Sequence, residues 1–546
     1  MLTKLITRRE ALHVLGATGG LLALGGAGLA TRELLNRPRF NHIPAKLHGA
    51  NLKIGHLLRE AIKAVPQDTR DIGTLIVGGG IAGLSAAWFL QKNGVTDFEV
   101  LELDREVGGN SASGKNEVSA YPWAAHYVPL PSPEAREVRA LFEELGIITG
   151  YRDGLPVYNE YYLCADPHER LFDRGVWSES LVPNVGLTPD ERAKLREFFT
   201  FTDSLKNKRG RDGRVIFNIP LEHSSVDPDW RRLDRVSFQD FLKERGWDVA
   251  PLQWYVDYCC RDDYGFRAEF VSAWAGLHYF ASRSGEAANA DAQTVLTWPE
   301  GNGWIAQKLR DKLEKHLRVN RLAYRIQNEG DFVLVDVIKA DSGEVMRYRA
   351  KDVIYAGPRF TANHIVKDLP RLPSPEHAPW VVANVTVERV PVTEGAPLSW
   401  DNVSTYSPSL GYIVANHQDL TILRTAKVLT YYRPMDERDA KTEREEAQKR
   451  TLEEWREMVL ADLERMHPGL HREVRAIDIW VWGHGMPSPG IDYVWNTERE
   501  KRFAPFGRVH FAHADQSGIS VFEEAQFRGV EAARRVLKKR PPDRPA

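Results

Sequence analysis

Apolar and polar positions follow their clearest periodicity between residues 74 and 103. Residues 74–77 form a short apolar run, which predicts a buried strand, and residues 81–92 carry apolar side chains at helical spacing. Residues 98–103 predict a second strand. This pattern is typical of an α/β fold with a parallel sheet.

Three glycines in GxGxxG spacing, Gly78, Gly80 and Gly83, stand between the first strand and the helix. The first permits a tight turn, the second lets the backbone approach a pyrophosphate, and the third lets the helix pack on the strand. Glu102 follows near the end of the second strand, where a carboxylate can accept hydrogen bonds from ribose hydroxyls. The unit therefore predicts a dinucleotide site.

The residues that follow Glu102 distinguish an FAD site from an NAD site. Residues 103–109 (LDREVGG) resemble the flavin amine oxidase and phytoene desaturase superfamily, in which a glycine pair follows the acid of the second strand. The resemblance implies bound FAD. It implies the following cofactor-binding residues: Gly78, Gly80, Ile81, Ala82, Gly83, Glu102, Leu103, Arg105, Gly108, Gly109, Asn110, Ala125, His126, Ala323, Asp515, Phe522 and Glu523.

Two further stretches carry the same resemblance. Residues 507–533 are similar to the superfamily's closing strand, acid and helix, which implies that Asp515 lies near the ribityl and pyrophosphate groups and Phe522 near the flavin ring. Residues 298–309, 321–326, 332–337 and 352–358 resemble the elements that return the chain to the cofactor domain, and residues 124–126 resemble a small-residue turn opposite the flavin.

The resemblance implies a Rossmann-type FAD-binding domain with a second, mixed α+β substrate domain. Because the motifs lie near both ends and in the middle, the cofactor domain is expected to be discontinuous: residues 70–126, 298–360 and 500–540. The substrate domain would then comprise residues 127–297 and 361–499. Within it, residues 439–466 include a predicted charged surface helix whose apolar stripe consists of Leu452, Trp455, Val459 and Leu463.

Composition agrees with a large enzyme. The 546 residues are 42% hydrophobic and 27% charged, enough to bury a sizeable core. A formal net charge of -2 argues against nucleic-acid binding, which normally requires a basic face. The three cysteines, Cys164, Cys259 and Cys260, are interpreted as core thiols, and no metal site is expected.

The N-terminal residues predict a targeting signal. Arg8 and Arg9 precede an uncharged run over residues 11–30, so residues 1–35 resemble a bacterial twin-arginine signal. The expected location is the periplasm or another exported one. A membrane anchor is the alternative, and cleavage is left open.

The implied chemistry is transfer of a hydride equivalent from a small-molecule substrate to flavin N5, with oxygen, a quinone or a redox protein as electron acceptor. An amine or polyamine is the preferred substrate. Trp482 and His484 are the candidate catalytic residues, since an aromatic wall can orient an amine and a histidine titrating near neutral pH can take its proton. A buried tryptophan pair with a core histidine is the alternative.

A second candidate cluster, residues 254–264, interleaves aromatic side chains with Asp257, Asp262 and Asp263. It could receive a cationic polyamine, or it could be a helix with a solvated acidic end. His278 carries a similar ambiguity between site and core.

Two other functions stay open. A desaturase or dehydrogenase of a lipid or isoprenoid would have a long apolar tunnel instead of an acidic, aromatic pocket, and a non-catalytic flavin-binding partner protein would bind flavin that no donor reduces. Three departures weaken a monoamine oxidase in particular: Val521 replaces a tyrosine, Asn110 an arginine, and Asn384 the lysine typically found near flavin N5.

Overall fold

The computed structural model describes residues 39–59, 62, 64–419 and 425–539. The segment that resembles a twin-arginine signal, residues 1–35, lies outside them. The chain divides into two units, residues 1–42 and 43–546. Of the first, residues 39–42 are described and form a turn. In the described residues, no helix is long and apolar enough to span a membrane.

The second unit mixes helices and strands. In chain order its strands are β1 (Ala45–Gly49), β2 (Thr69–Val77), β3 (Phe98–Leu101), β4 (Ser113–Lys115), β5 (Ala120–Pro122), β6 (Tyr127–Pro129), β7 (Ile148–Arg152), β8 (Leu155–Tyr158), β9 (Glu169–Asp173), β10 (Val176–Glu179), β11 (Val295–Thr297), β12 (Leu317–Arg318), β13 (Arg321–Asn328), β14 (Val333–Lys339), β15 (Val345–Tyr355), β16 (His377–Val387), β17 (Asp401–Ser404), β18 (Tyr412–Val414), β19 (Lys427–Pro434), β20 (Val474–Pro487) and β21 (Val509–Phe511).

The helices are α1 (Leu52–Gly55), α2 (Ile81–Lys92), α3 (Arg136–Glu144), α4 (Pro189–Leu205), α5 (Pro228–Arg231), α6 (Phe238–Glu244), α7 (Ala250–Tyr264), α8 (Ala273–Ala281), α9 (Gly303–Leu313), α10 (Arg359–Ile365), α11 (Ala440–Lys449), α12 (Leu452–Met466), α13 (Arg499–Phe503) and α14 (Phe522–Lys539). The α/β class predicted from the sequence is confirmed.

One sheet has the strand order β12-β3-β2-β15-β14-β13, with β21 beside β15. Strands β12, β3, β2, β15 and β21 run parallel, and β13, β14 and β15 form an antiparallel meander. Helix α2 has the bounds that the periodicity predicts. Strand β2 begins earlier, at Thr69, because its first residues pair with β15.

A larger sheet has the order β1-β20-β16-β19-β18-β17-β9-β10. Strand β16 is buried at every position, and side chains of this sheet pack in one core with those of helices α4, α6, α7 and α8. The second layer of the molecule is therefore mixed α+β, as expected. The proposed domain boundaries themselves stay a prediction.

The charged helix predicted within residues 439–466 is confirmed as α12, and a shorter helix, α11, precedes it. The two are separated at Arg450 and Thr451. The Thr451 side chain accepts a hydrogen bond from the Glu454 N–H, and the Glu454 carboxylate accepts one from the Thr451 N–H. This reciprocal pair is a capping box, which starts a new helix. The apolar stripe of α12, including Trp455, is buried.

Helices α2 and α14 pack with their backbones in close contact. A Cβ added at Gly529 of α14 would lie 2.0 Å from the carbonyl oxygen of Ala82 in α2. Only a residue without a side chain can occupy this crossing, which joins the two ends of the chain.

We expect Gly529→Ala to lower the free energy of unfolding by about 1–3 kcal/mol, because the new methyl group must push the two helices apart. Urea denaturation measures this change. Gly150→Ala is the matched control, since a Cβ at Gly150 meets no atom within 4 Å. Equal stability of the two variants would contradict the packing described.

Candidate functional site

The carboxyl ends of β2, β3, β15 and β21 meet at one edge of the parallel sheet. The residues that follow these strands are Gly78, Glu102, Ala356 and Ala512. In open α/β sheets, ligands bind in the crevice outside this edge. Segments that are far apart in the sequence therefore form one candidate site.

The glycine loop between β2 and α2 has the geometry of a phosphate cradle. Gly78 has a φ of +108°, and a Cβ at Gly83 would lie only 1.9 Å from the Gly78 carbonyl oxygen. A Cβ at Gly80, in contrast, would meet nothing within 4 Å. Helix α2 begins directly after Gly80, so its unpaired N–H groups face this open space.

The second glycine pair contacts the first. The Gly108 N–H donates to the Gly79 carbonyl oxygen at 2.9 Å, and Gly108 and Gly80 form a parallel bridge. The Glu102 carboxylate accepts from the Gly79 N–H at 2.7 Å, and burial raises the pKa of Glu102 to about 7. The acid thus lies against the loop, as a ribose-binding acid must.

Asp515 closes the site from the other end of the chain. It is fully buried, and one carboxylate oxygen accepts from the Arg359 N–H at 2.6 Å. Although burial opposes it, the neighbouring His513 lowers the pKa of Asp515 below its ordinary value. Arg359 is buried as well, and its Nε and Nη1 have no hydrogen-bond partner in the described residues. Unsatisfied guanidinium donors of this kind fit a phosphate.

The other residues predicted to bind the cofactor surround the same edge. Ile81 and Ala82 are buried in the first turn of α2. Leu103 is half-buried and Arg105 exposed in the loop after β3. Ala323 is buried in β13, whose first residue donates its N–H to the Glu102 carbonyl oxygen at 2.7 Å.

A cavity beside this edge is lined by residues from separate segments. It includes six of the predicted site residues: Asn110, Ala125, His126, Trp482, Phe522 and Glu523. The Asn110 side chain donates to the Gly485 carbonyl oxygen at 2.5 Å, and the Asn302 N–H donates to the Ala125 carbonyl oxygen at 3.0 Å. The first bond joins the loop after the glycine pair to the end of β20, and the second joins the small-residue turn to the start of α9.

A second part of the cavity adjoins the first. His126, Tyr127, Asp262, Arg283 and Tyr432 line both parts. Aromatic side chains form other walls of the second part, namely Phe199, Tyr255, Tyr258, Tyr279, Phe280 and Trp400. The second part is not an apolar tunnel, because Asp262, Asp401 and Glu169 also line it.

Asp262 lies at the junction of the two parts. Its neighbour Asp263 is paired with Arg283, at 2.7 and 2.8 Å, so that cation is already compensated. Asp262 accepts a hydrogen bond from the Tyr127 hydroxyl at 3.3 Å. Burial, followed by the charge of Asp263, raises the pKa of Asp262 to about 7.

Asp401 lines only the second part of the cavity. Its carboxylate accepts hydrogen bonds from the hydroxyls of Tyr258 and Tyr432, each at 3.2 Å. Burial and the negative charges of Asp262 and Glu169 raise the pKa of Asp401 well above its ordinary value. Burial also raises the pKa of Glu169. Each carboxylate would be stabilised by a cation in this space.

Two groups nearer the glycine loop are uncharged or weakly acidic. Burial lowers the pKa of His126 to about 4, and its Nδ1 lies 3.1 Å from the Ala124 carbonyl oxygen. Nδ1 must donate to that oxygen, so Nε2 carries a lone pair. Burial raises the pKa of Glu523 to about 7, and one of its carboxylate oxygens has no partner in the described residues.

The two proposed catalytic residues are not brought together. Trp482 lines the cavity, but His484 does not; its ring contacts Phe360 and His377, with centroids 4.4 and 5.8 Å apart. Although part of the ring is open to solvent, the protein packed around the rest, together with Arg444, lowers the pKa of His484 to about 3. This lowered pKa goes against the expected titration near neutral pH.

The acidic cluster of α7 divides in the structure. Asp262 faces the cavity, whereas Asp257 accepts from the Ala268 N–H at 2.9 Å and does not line it. His278 is a core residue, buried with its Nε2 2.9 Å from the Asn218 carbonyl oxygen. Asn384 donates to the Pro122 carbonyl oxygen at 3.1 Å, next to the small-residue turn.

Sequence reasoning missed four residues that line the second part of the cavity: Glu169, Arg283, Asp401 and Tyr432. They belong to β9, β17, β19 and the segment after α8, and no spacing relates them. Only the pairing of β17 with β9 and of β18 with β19 brings them close. Among the described residues no cluster of histidine, cysteine or acidic side chains could hold a metal ion.

The buried carboxylates give the protein a pH-dependent stability. The pKa of Asp262 is raised in the folded state, so the folded chain keeps a proton that the unfolded chain releases between pH 4 and 7. The stability contributed by this group is therefore present at low pH and is lost as the pH rises.

We expect the melting temperature of Asp262→Asn to fall less than that of the unchanged protein between pH 5 and pH 8, because the amide carries no charge to bury. Thermal unfolding at both pH values measures the difference. Asp331→Asn is the control, since Asp331 is fully exposed. A difference that does not change with pH would contradict the assignment.

The fold has known relatives. Residues 76–145 match the model of the NAD(P)-binding Rossmann-like domain. Similar solved structures include a putrescine oxidase bound to putrescine (17% identity, TM-score 0.61, 86% of this chain and 100% of that one), the cyclohexylamine oxidase of Brevibacterium oxydans IH-35A (15%, 0.60, 86% and 99%) and a fatty acid isomerase from P. acnes that produces CLA (17%, 0.59, 86% and 99%).

No curated protein matches this chain in sequence. At these identities the structures establish the fold alone. The chain therefore shares its overall fold with these two oxidases and the isomerase.

Proposed function

We propose that the protein is an FAD-dependent oxidoreductase that oxidises an amine carrying a second cationic group. The observation that carries the substrate class is the buried, aromatic cavity with three carboxylates, Asp262, Asp401 and Glu169, that no cation in it fully compensates. The reduced cofactor would pass its electrons to oxygen, a quinone or a redox protein.

The residues at the sheet edge fit FAD. The open space at Gly80 and the N–H groups of α2 would receive the pyrophosphate, with Arg359 supplying unsatisfied donors. Glu102 would accept hydrogen bonds from the ribose hydroxyls. The flavin ring would enter the cavity between Asn110 and Phe522. The bound cofactor would supply an acceptor for a hydride equivalent from the substrate carbon.

The carboxylates support an amine over an isoprenoid or lipid. Burying an unpaired carboxylate costs several kcal/mol, which the hydroxyls of Tyr127, Tyr258 and Tyr432 offset only in part. A substrate ammonium group beside Asp401 would neutralise this charge, and the surrounding rings would add cation-π attraction. A wholly apolar substrate would leave the carboxylates buried and unpaired.

Asp262 is the residue that we propose for proton transfer. An amine must lose its ammonium proton before a hydride can leave the adjacent carbon, and a carboxylate with a pKa of about 7 can take that proton near neutral pH. Its position at the junction of the cavity lies between the proposed flavin site and Asp401. Tyr127 would hold the carboxylate in place through its hydroxyl.

The central test is anaerobic bleaching of the bound flavin. The purified protein is mixed with diamines, monoamines and isoprenoids, and the flavin absorption is followed in a stopped-flow instrument. Diamines are expected to bleach the flavin at the lowest concentration. Bleaching by isoprenoids alone would remove the amine proposal, and protein that cannot be loaded with FAD would overturn the proposed function.

We expect Gly80→Ala to weaken FAD binding while the protein stays folded. The methyl group would meet no protein atom but would fill the space proposed for the pyrophosphate. Fluorescence titration of the apoprotein with FAD gives the affinity, and circular dichroism verifies the fold. Unchanged affinity would show that the pyrophosphate lies elsewhere.

We expect Asp401→Asn to raise the KM for a diamine about tenfold or more, because the lost charged contact is worth ~1.5–3 kcal/mol. The KM for a monoamine of equal length should change little. Asp203→Asn is the matched control, since Asp203 lines the same cavity but pairs with Lys206 at 2.9 Å. Equal effects on both substrates would contradict a second cationic group at Asp401.

A further inference from the structure

A continuous chain of aromatic side chains begins at the cavity and ends at Tyr121, near the partly exposed side chain of His48. Trp482 lines the cavity, and its ring centroid lies 5.1 Å from that of Trp480. Trp480 lies 5.1 Å from Trp123, and Trp123 lies 5.2 Å from Tyr121. The steps are short and nearly equal, so each ring is close to contact with the next.

One further contact strengthens the chain. The Trp482 Nε1–H donates to the Trp123 carbonyl oxygen at 2.7 Å, which gives the rings a second connection through the backbone. Trp480 and Trp482 lie two positions apart on β20, while Trp123 directly precedes the small-residue turn of the cavity. Two separate segments of the chain thus supply the aromatic residues of one line.

The outer end of the chain carries a proton acceptor. The Tyr121 hydroxyl donates to one oxygen of Asp478 at 3.3 Å, and the other oxygen lies 2.8 Å from His48 Nε2. His48 lowers the pKa of Asp478, so the carboxylate is ionised at neutral pH. Burial and Asp478 raise the pKa of Tyr121, which keeps its proton until it loses an electron. The His48 side chain is 35% exposed, so this end reaches solvent.

We propose that Trp482, Trp480, Trp123 and Tyr121 form a path for single electrons from the protein surface to the photoexcited flavin, so that light reduces the cofactor as a second activity. The proposal rests on the FAD site proposed above. Excited flavins are strong enough oxidants to take an electron from tryptophan, whereas ground-state flavins are not.

Each electron that leaves the path is replaced, and the one proton that is released has an acceptor. Trp482 would give one electron to the excited flavin. Trp480 then reduces the oxidised Trp482, Trp123 reduces Trp480, and Tyr121 reduces Trp123. Oxidised Tyr121 releases its phenolic proton to Asp478, which leaves a neutral tyrosyl radical. An external one-electron donor, such as a thiol or ascorbate, restores the tyrosine. The negative charge of Asp478 stabilises the positive charge of an oxidised residue at the Tyr121 end of the path.

Aromatic packing alone is the competing explanation. It accounts for buried rings, but it gives no reason for three tryptophans in a row or for a tyrosine-carboxylate pair at the outer end. The indole N–H of Trp480 has no hydrogen-bond partner in the described residues. A leucine would fill the position of Trp480 without burying a polar group.

Transient absorption spectroscopy tests the path on the full chain loaded with FAD. After a blue laser flash under argon, we expect a tryptophan radical followed by a long-lived tyrosyl radical. In Trp480→Phe, flavin fluorescence should stay quenched by Trp482, but most of the long-lived radical signal should be lost. In Tyr121→Phe, the long-lived radical should have a tryptophan spectrum.

Trp247→Phe is the control, because Trp247 is a buried tryptophan that packs in the core of the second layer, away from the aromatic chain. Its radical yield should equal that of the unchanged protein. Normal yields and lifetimes in both Trp480→Phe and Tyr121→Phe, with FAD bound, would overturn the path and leave the proposed function intact. Failure to bind FAD would overturn both.

Discussion

The parallel pairing of β2 with β3 and β15, and of β15 with β21, is the constraint on which the rest of the structure depends. Parallel strands end at the same edge, so the loops that follow them must meet there. The glycine loop, Glu102 and Asp515 therefore share one crevice, although they come from opposite ends of the chain. Contact between Gly529 of α14 and α2 holds the ends together.

A second constraint is electrostatic. The cavity buries carboxylates at a cost in free energy, and tyrosine hydroxyls offset only part of it. Folding tolerates this cost because the large sheet and helices α4 to α8 supply an extensive apolar core around the cavity. The same unpaired charge that costs stability is what would select a cationic substrate and set the pKa of Asp262 near neutrality.

Much of the cofactor edge was predictable, because its signals are local. The bounds of α2, the turn at Gly78 and the position of Glu102 follow from spacing over a few residues. Where prediction and structure differ, longer-range geometry is the reason. His484 is close to Trp482 in sequence but contacts Phe360 outside the cavity.

The sequence by itself determined the α/β class and the glycine turn with the helix that follows it, because a turn and its helix are specified by neighbouring positions. Only the tertiary structure decided that Asp262, Asp401 and Glu169 face one aromatic cavity, and that Trp482 begins a line of rings ending at Tyr121. These side chains come from distant strands and helices, and the distances between them depend on strand pairing and packing, which no spacing along the chain records.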